Sequence, residues 1–467
     1  LFLVIQIYSS EISIEDDNVK VLTTDIYSKH DLQWSTVEFL PDPSKAENKI
    51  EIHPDKTNQE IDGFGAAITG STCYNLKKMT SENRRMFLEK TFKDYGFSYV
   101  RISIGASDFS LSDYTLCDKE GIQNFALQNE EREYIIPILK EILQINSRIK
   151  IIATPWTAPV WMKVKDLSSK QRCYTFNSCY LNPDHYNDYA EYFVKFIKAF
   201  ENEGIHIYAI SPQNEPLNKG NSASMYMGHE QQATFIERYL GPKFRSAQIN
   251  TKIYTFDHNY NYDGIGSEKE YPILIYSTGA EQYVTGAAYH NYGGDKNELN
   301  NIHNKCPDKE LIFTETSIGV WNYGRDLTKR LIADMNEIVI GTTLRWCKAV
   351  IVWNLMLDLN NSPYRPGGCS TCYGAVDIDQ NNYKNYYRNS HYYIIAHASS
   401  VVKPGAYRID TSGWWSPDCE YAVFKNSDGS FAALLSNNGG EKRVSFAIEG
   451  GRGFTTTVPE RSIISFS

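Results

Sequence analysis

The chain has no stretch of the ~20 uninterrupted apolar residues that a membrane-spanning helix needs. It has no basic excess either: 47 Lys and Arg stand against 56 Asp and Glu, a formal net charge of −9 at pH 7. A phosphate backbone calls for a cationic face, so nucleic acid is not expected as a partner. Gly63-Phe64-Gly65-Ala66-Ala67-Ile68 stops short of a third glycine, and no P-loop follows the first strand, so dinucleotide binding falls away. There is no HExxH, and the first strand carries no HxH pair. Metal-dependent barrel hydrolysis loses its usual signatures, and no metal is expected. Cys369-Ser370-Thr371-Cys372 has CxxC spacing, but no second close pair follows at zinc-ribbon spacing and no thioredoxin-like context surrounds it. Internal repeats and low-complexity segments are also missing.

What is present is ordinary globular composition, 42% hydrophobic and 22% charged over 467 residues. That length suffices for a large catalytic domain and a smaller one. Aromatics reach 13%, with 33 Tyr and 8 Trp; such rings fill cores and also suit stacking on sugars. Nine cysteines leave at least one thiol unpaired. The pairs Cys173/Cys179 and Cys369/Cys372 read as loop staples made in an oxidising compartment, or as buried free thiols. The opening LFLVIQIYSS reads equally as the tail of a secretory signal lacking its basic start or as a first strand. The expected location is secreted, periplasmic or cell-surface.

Eight short apolar runs, each closed by a polar or Gly/Pro-marked loop, alternate with helix-like segments. They are Glu60–Ile68, Tyr99–Ile104, Lys150–Pro155, Ile205–Ser211, Lys252–Phe256, Val284–Tyr289, Glu310–Thr314 and Ala349–Leu355. Between the third and fourth, Asn182-Pro183 supplies a helix start. Tyr186, Tyr189, Phe193, Phe196, Ile197 and Phe200 then recur at helical spacing before Gly204. The segments Tyr134–Ile145 and Leu327–Trp346 repeat the pattern less cleanly. Strand–helix alternation over about 300 residues fits a parallel (β/α)8 barrel, a TIM barrel of the α/β class, better than an open sheet. After about residue 385 the texture becomes short alternating runs with turn signals, an all-β sandwich or half-barrel. Residues 1–55 look strand-like too. The expected organisation is therefore an N-terminal part of the sandwich at 1–58, the barrel at 59–384 and the rest of the sandwich at 385–467.

Side chains at the C-terminal ends of barrel strands converge on one face, which carries the active site. The fourth strand ends in Gln213-Asn214-Glu215-Pro216 and the seventh in Phe313-Thr314-Glu315-Thr316. Two facing carboxylates are what glycoside hydrolysis needs, one protonated to donate to the leaving oxygen and one ionised to attack the anomeric carbon. Direct attack goes with carboxyls about 5–5.5 Å apart and retained configuration. Asn214 is placed to meet a sugar 2-hydroxyl. The Glu315 charge should raise the proton affinity of Glu215 and give a bell-shaped pH–rate profile. Asp108, Trp156, Trp161, His290, Tyr292, Trp353 and Asn354 stand at other strand ends as candidate sugar contacts. Arg101, inside the second strand, either orients a catalytic carboxylate or closes a structural ion pair.

The motifs IDGFGAAITG (61–70), VRISIGASDFS (100–110), ATPWTAPVWMK (153–163), SPQNEP (211–216), AAYHNYGG (287–294), FTETSIGVWNYGRD (313–326) and VWNLMLD (352–358) resemble glycoside hydrolase family 30 in order along essentially the whole chain. That is the family of the human lysosomal glucosylceramidase and of microbial β-1,6-glucanases. The resemblance implies Glu215 as acid/base, Glu315 as nucleophile, and Asp108, Trp156, Asn214 and Trp353 around the non-reducing-side sugar. It also implies a sandwich built from both chain ends and no cofactor. The loops FDHNYNYDG (256–264) and PYRPGGCSTCYGAVDID (363–379) look more like the bacterial endo-β-1,6-glucanase branch than the lysosomal enzyme. The expected substrate is a β-glucan or other β-glucoside. An exo-acting β-glucosidase or glucosylceramidase is the rival within this class, and a non-catalytic carbohydrate-binding barrel the rival outside it.

Overall fold

All eight expected strands are found in the computed structural model, which describes residues 18–39, 48–260 and 265–467. In chain order they are β1 (Gly63–Ala67), β2 (Tyr99–Ser103), β3 (Lys150–Thr154), β4 (Ala209–Ile210), β5 (Lys252–Asn259), β6 (Gly286–His290), β7 (Glu310–Glu315) and β8 (Cys347–Asn354). Each pairs in parallel with the next, and β8 pairs with β1 to close the barrel. The stretch at 1–10, read above as leader or strand, lies outside the described residues.

The barrel interior is a packed core of Tyr99, Ile152, Ala209, Tyr254, Ala288, Ile312, Ala349 and Ile351. Beneath it, at the strand N-termini, alternating charges lock the base. Lys150 Nζ donates to Asp62 (2.7 Å), while Lys252 (3.0 Å) and Lys348 (2.9 Å) both donate to Glu310. The opposite mouth is left to the loops. The helix foreseen after β3 runs over Tyr186–Asn202, with Tyr189, Phe193, Phe196, Ile197 and Phe200 buried. Asn182 caps a short 3₁₀ turn, Pro183–His185, that leads into it. Gly204 ends it at φ +78°.

Two features depart from the expected layout. The all-β stretch does not begin at 385, because the helix Ser390–Val401 intervenes. It packs against the helix Leu327–Asp334 and against β1, and it stands as the barrel's eighth helix. The sandwich is a single nine-stranded sheet in which Asn18–Asp25, Gln33–Glu38 and Lys49–Glu60 join six C-terminal strands, so both chain ends do contribute. Along Phe431–Asn437, Ala433 and Leu435 face the sandwich core, whereas Leu434 faces the core shared with the barrel. A period-2 alternation therefore serves two cores at once. Buried His397 fastens the joint, with Nδ1 against Ser465 Oγ (2.8 Å) and Nε2 against Thr24 Oγ1 (2.9 Å). Both cysteine pairs form disulfides, Cys173–Cys179 and Cys369–Cys372.

The barrel wall is close-fitting at its glycines. A Cβ on Gly286 would lie 1.9 Å from the Glu310 carbonyl oxygen, backbone that cannot move aside. Gly286→Ala should therefore cost at least the ~1–3 kcal/mol of ordinary overpacking. Gly440→Ala, with nothing within 4 Å, should be close to neutral. Thermal unfolding followed by circular dichroism checks the pair; equal midpoints would show that β6 and β7 can part without loss.

Candidate active site

Strand irregularities turn the site's side chains inward. The β5–β6 register shifts between Phe256 and His258, and the β6–β7 register between Tyr289 and His290. Such bulges re-aim side chains next to active sites. Phe256 (φ +72°), Asp257 (+58°) and Glu215 (+44°) all sit in the left-handed region, strain that persists only where surroundings enforce it. The Glu215 N–H donates to the Asp257 carbonyl (3.0 Å), tying the ends of β4 and β5 together.

At the centre is Arg101, fully buried in β2. Its Nη1 donates to Glu315 Oε2 (2.6 Å), and its Nη2 to Asp257 Oδ2 (2.8 Å) and Asn214 Oδ1 (2.8 Å). Its guanidinium lies over the rings of Trp156 (4.9 Å) and Trp353 (5.5 Å). It holds one oxygen of Glu315 and closes a buried ion pair with Asp257. Asp257 also accepts from Ser211 Oγ (2.8 Å) and Thr314 Oγ1 (2.6 Å) and meets His290 Nε2 (3.0 Å). Burial pushes its carboxyl up, but Arg101 and these hydrogen bonds hold it far below the usual carboxylate range.

Glu215 and Glu315 face each other, as their strand positions predicted, with a carboxylate oxygen of each within 4.8 Å of the other and of a His290 ring nitrogen. Tyr292 donates to Glu315 Oε1 (3.0 Å), and Asn218 (2.7 Å) and Asn221 (3.2 Å) donate to Glu215 Oε2. Asp108, Tyr292 and Trp353 line the same cavity of about 210 Å³, together with Asn221, Ser317, Trp321 and Cys372. A larger cavity, about 370 Å³, lies in the sandwich, but no acidic or basic side chain lines it. The facing carboxylates lie at the barrel mouth.

Other expected sugar contacts are placed elsewhere. His290 is wholly buried behind Glu215, its Nδ1 3.3 Å from Glu215 Oε1 and its Nε2 on Asp257, so it positions a carboxylate rather than touching a sugar. Trp156 is 1% exposed and stacks behind Trp353 at 5.3 Å. Asn214 accepts from Arg101 through its carbonyl oxygen, which leaves its Nδ2 donors for a ligand. Trp161 donates to the Cys117 carbonyl (2.8 Å), and Asn354 accepts from Thr69 (2.6 Å). Glu215, His290 and Glu315 group ligand-type atoms closely enough for a cation. Both His290 nitrogens and Glu315 Oε2 already have protein partners, and Arg101 supplies positive charge there. Asp257 was missed. Its signal was an acid at the close of the fifth apolar run, in Phe256-Asp257-His258.

The proton balance also departs from expectation. Burial pushes Glu215 up, but the His290 hydrogen bond and the His258 and His290 charges bring it down to about 2. Burial presses His290 toward neutrality, yet the Glu315 charge and its bonds to Asp257 and Glu215 raise it to about 9. These are two ends of one hydrogen bond. With the proton on Nδ1 the pair is imidazolium–carboxylate; with it on Glu215 the pair is imidazole–carboxylic acid. The pair titrates as a unit. Glu315 itself is raised, by burial first and by the Glu215 charge, against the pull of His290 and Arg101.

Comparison with known proteins matches this architecture along the chain. Residues 61–402 match the glycosyl hydrolase family 30 TIM-barrel domain, and residues 405–466 the family's β-sandwich domain. The solved structure of the endo-β1,6-glucanase BT3312 is 56% identical with a TM-score of 0.94, covering 96% of this chain and 98% of that one. The endo-1,6-β-D-glucanase BGN16.3 of Trichoderma harzianum is 29% identical over 450 residues, 91% of this chain and 87% of that protein. The lysosomal acid glucosylceramidase of Mus musculus is 25% identical over 424 residues, 84% and 78% of the two chains. With barrel, mouth carboxylates and sandwich all in place, the chain belongs to glycosyl hydrolase family 30 and is a glycoside hydrolase.

Proposed function

We propose that the protein is a retaining endo-β-1,6-glucanase in which Glu315 is the nucleophile and Glu215 the acid/base. The observation that carries the chemistry is the approach of the two carboxylates to within 4.8 Å. Retaining enzymes hold their carboxyls about 5–5.5 Å apart, whereas inverting ones need about 6.5–9.5 Å to admit a water. In the first step Glu315 attacks the anomeric carbon while Glu215 protonates the departing glycosidic oxygen. In the second, Glu215 as carboxylate takes a proton from water, which displaces the sugar from Glu315. Arg101 and Tyr292 each hold one oxygen of Glu315, fixing its direction of attack. The Trp353 face and the Asp108 carboxyl are left to take the reacting sugar's apolar face and its hydroxyls.

Linkage and mode of attack rest on the endo-β-1,6-glucanases that the chain resembles over nearly its full length. Two disulfides support an extracellular or periplasmic setting. Among the described residues no helix is long and apolar enough to cross a membrane.

Incubation with a linear β-1,6-glucan should yield a ladder of oligosaccharides from the earliest time points, read by chromatography. Glucose alone would mean exo action, and no product would mean a different β-glucoside.

Glu315→Gln should abolish turnover of every substrate. Glu215→Gln should lose roughly 10²–10⁴-fold on the glucan yet spare the first step on an aryl glucoside with a good leaving group. Pre-steady-state release of the aryl group measures that step. Equal losses on both substrates would remove the acid/base assignment.

The shared proton sets a third expectation. The pair with His290 keeps its proton until pH rises toward the raised His290 value of about 9. The alkaline limb of kcat/KM should thus lie above the carboxylate range. His290→Gln leaves the proton to Glu215 alone and should move that limb to lower pH. An unmoved limb in this variant would show that Glu215 holds its proton unaided.

A further inference from the structure

The catalytic cavity, about 210 Å³, is smaller than the ~300–1,000 Å³ of pockets that enclose whole ligands. A glucan that enters it with one ring must rest its neighbouring rings on the rim. Trp321 stands there, half exposed, and lines the cavity beside Glu315 and Cys372.

Its mounting is specific. Trp321 lies in the 3₁₀ turn Val320–Asn322, directly after the two-residue strand Ile318–Gly319. That strand pairs antiparallel with Cys372–Tyr373, and the Val320 N–H donates to the Thr371 carbonyl (3.0 Å). The Cys369–Cys372 disulfide closes the turn that presents Thr371. On the other side, Asn322 Oδ1 accepts from the Gly319 N–H (2.9 Å). The indole packs close against Gly319: a Cβ there would be 2.0 Å from its Cζ3 and 2.4 Å from its Cη2. Arg325 over the Tyr373 ring at 3.9 Å steadies the partner strand. A large ring backed by Gly319 and half exposed beside a reactive cavity has the form of a stacking platform.

We infer that Trp321 is a second sugar site, binding the hexose ring next to the one being cleaved, and that the Cys369–Cys372 disulfide fixes its position. The inference rests on the glucanase reading, and names the residue through which that reading selects a polymer over a single glucoside.

The test compares a linear β-1,6-glucan with β-glucosyl fluoride, which reacts at the same carbon but places no ring beyond it. Trp321→Ala should raise KM for the glucan about tenfold, and the loss in kcat/KM on the glucan should exceed that on the fluoride by a similar factor. Trp321→Phe, which keeps a ring, should recover most of the difference. Cys369→Ser should shift the glucan-to-fluoride ratio in the same direction as Trp321→Ala. Equal losses on the two substrates, or none on either, would overturn the platform while leaving the hydrolase reading intact. A Cys369→Ser ratio equal to wild type would overturn the role of the disulfide. Failure of the wild-type enzyme on both the glucan and the fluoride would overturn the glucoside chemistry itself, and the platform with it.

Discussion

One buried guanidinium organises this molecule. Arg101 sits inside a strand of the barrel with no exposure to solvent, where an uncompensated charge would cost several kcal/mol. Its compensation comes from three other strand ends, through Asp257, Glu315 and Asn214. Each is thereby held in a fixed direction, so the requirement to neutralise Arg101 also aims the carboxylate that lies nearest the cavity. The indoles of Trp156 and Trp353 cover its faces. That explains why a tryptophan buried behind another is kept at the floor of a polar site: it excludes water that would screen the ion pairs.

The charge count extends the point. Arg101 and a protonated His290 face Asp257, Glu215 and Glu315, two positive groups against three negative when all are ionised. The one proton that His290 and Glu215 share keeps the cluster at a net charge of −1 instead of −2, and burial favours the smaller charge. A site that must hold one carboxylic acid and one carboxylate is thus balanced by its fixed charges around a single mobile proton. Backbone strain serves the same end. Left-handed Glu215 and Asp257, joined by a hydrogen bond, bring an acid from β4 and an acid from β5 to opposite sides of His290. The regular strand geometry below them could not do this, because successive side chains there alternate between the barrel interior and the helices.

Much of this was legible in the sequence because it depends on strand ends. Apolar runs closed by polar clusters marked all eight strands, and Glu215 and Glu315 stood where the fourth and seventh runs stop. What was not legible depends on three-dimensional packing. Asp257 stands just past the fifth run, where an acid alone does not announce its partners, and its bulge carries no glycine to mark it. His290 and Trp156 have the residue types of sugar ligands, and only the depth of Glu215 and Trp353 in front of them shows that they act from behind. The helix Ser390–Val401 escaped because nearly every one of its residues is buried. A helix buried all round lacks the one-sided apolar stripe by which helices are recognised, so the sequence pattern does not extend the barrel to its last element.

Nothing in the buried network reads a linkage. Arg101, Asp257 and His290 contact protein on every side that the hydrogen bonds define, and they would serve the same two-step displacement on any equatorially presented glycoside. Discrimination has to reside in groups that touch sugar beyond the reacting ring, on loops the barrel only supports. Under the proposed function the cavity's small volume makes this division sharp: its floor takes one ring, and its rim faces what that ring is attached to. The rim is also where covalent fastening is found. The barrel is already over-determined by its own packing, whereas a two-residue strand carrying a half-exposed indole has little core of its own. A two-residue loop closed by a disulfide supplies there, by restricting the chain, the rigidity that burial supplies at the floor.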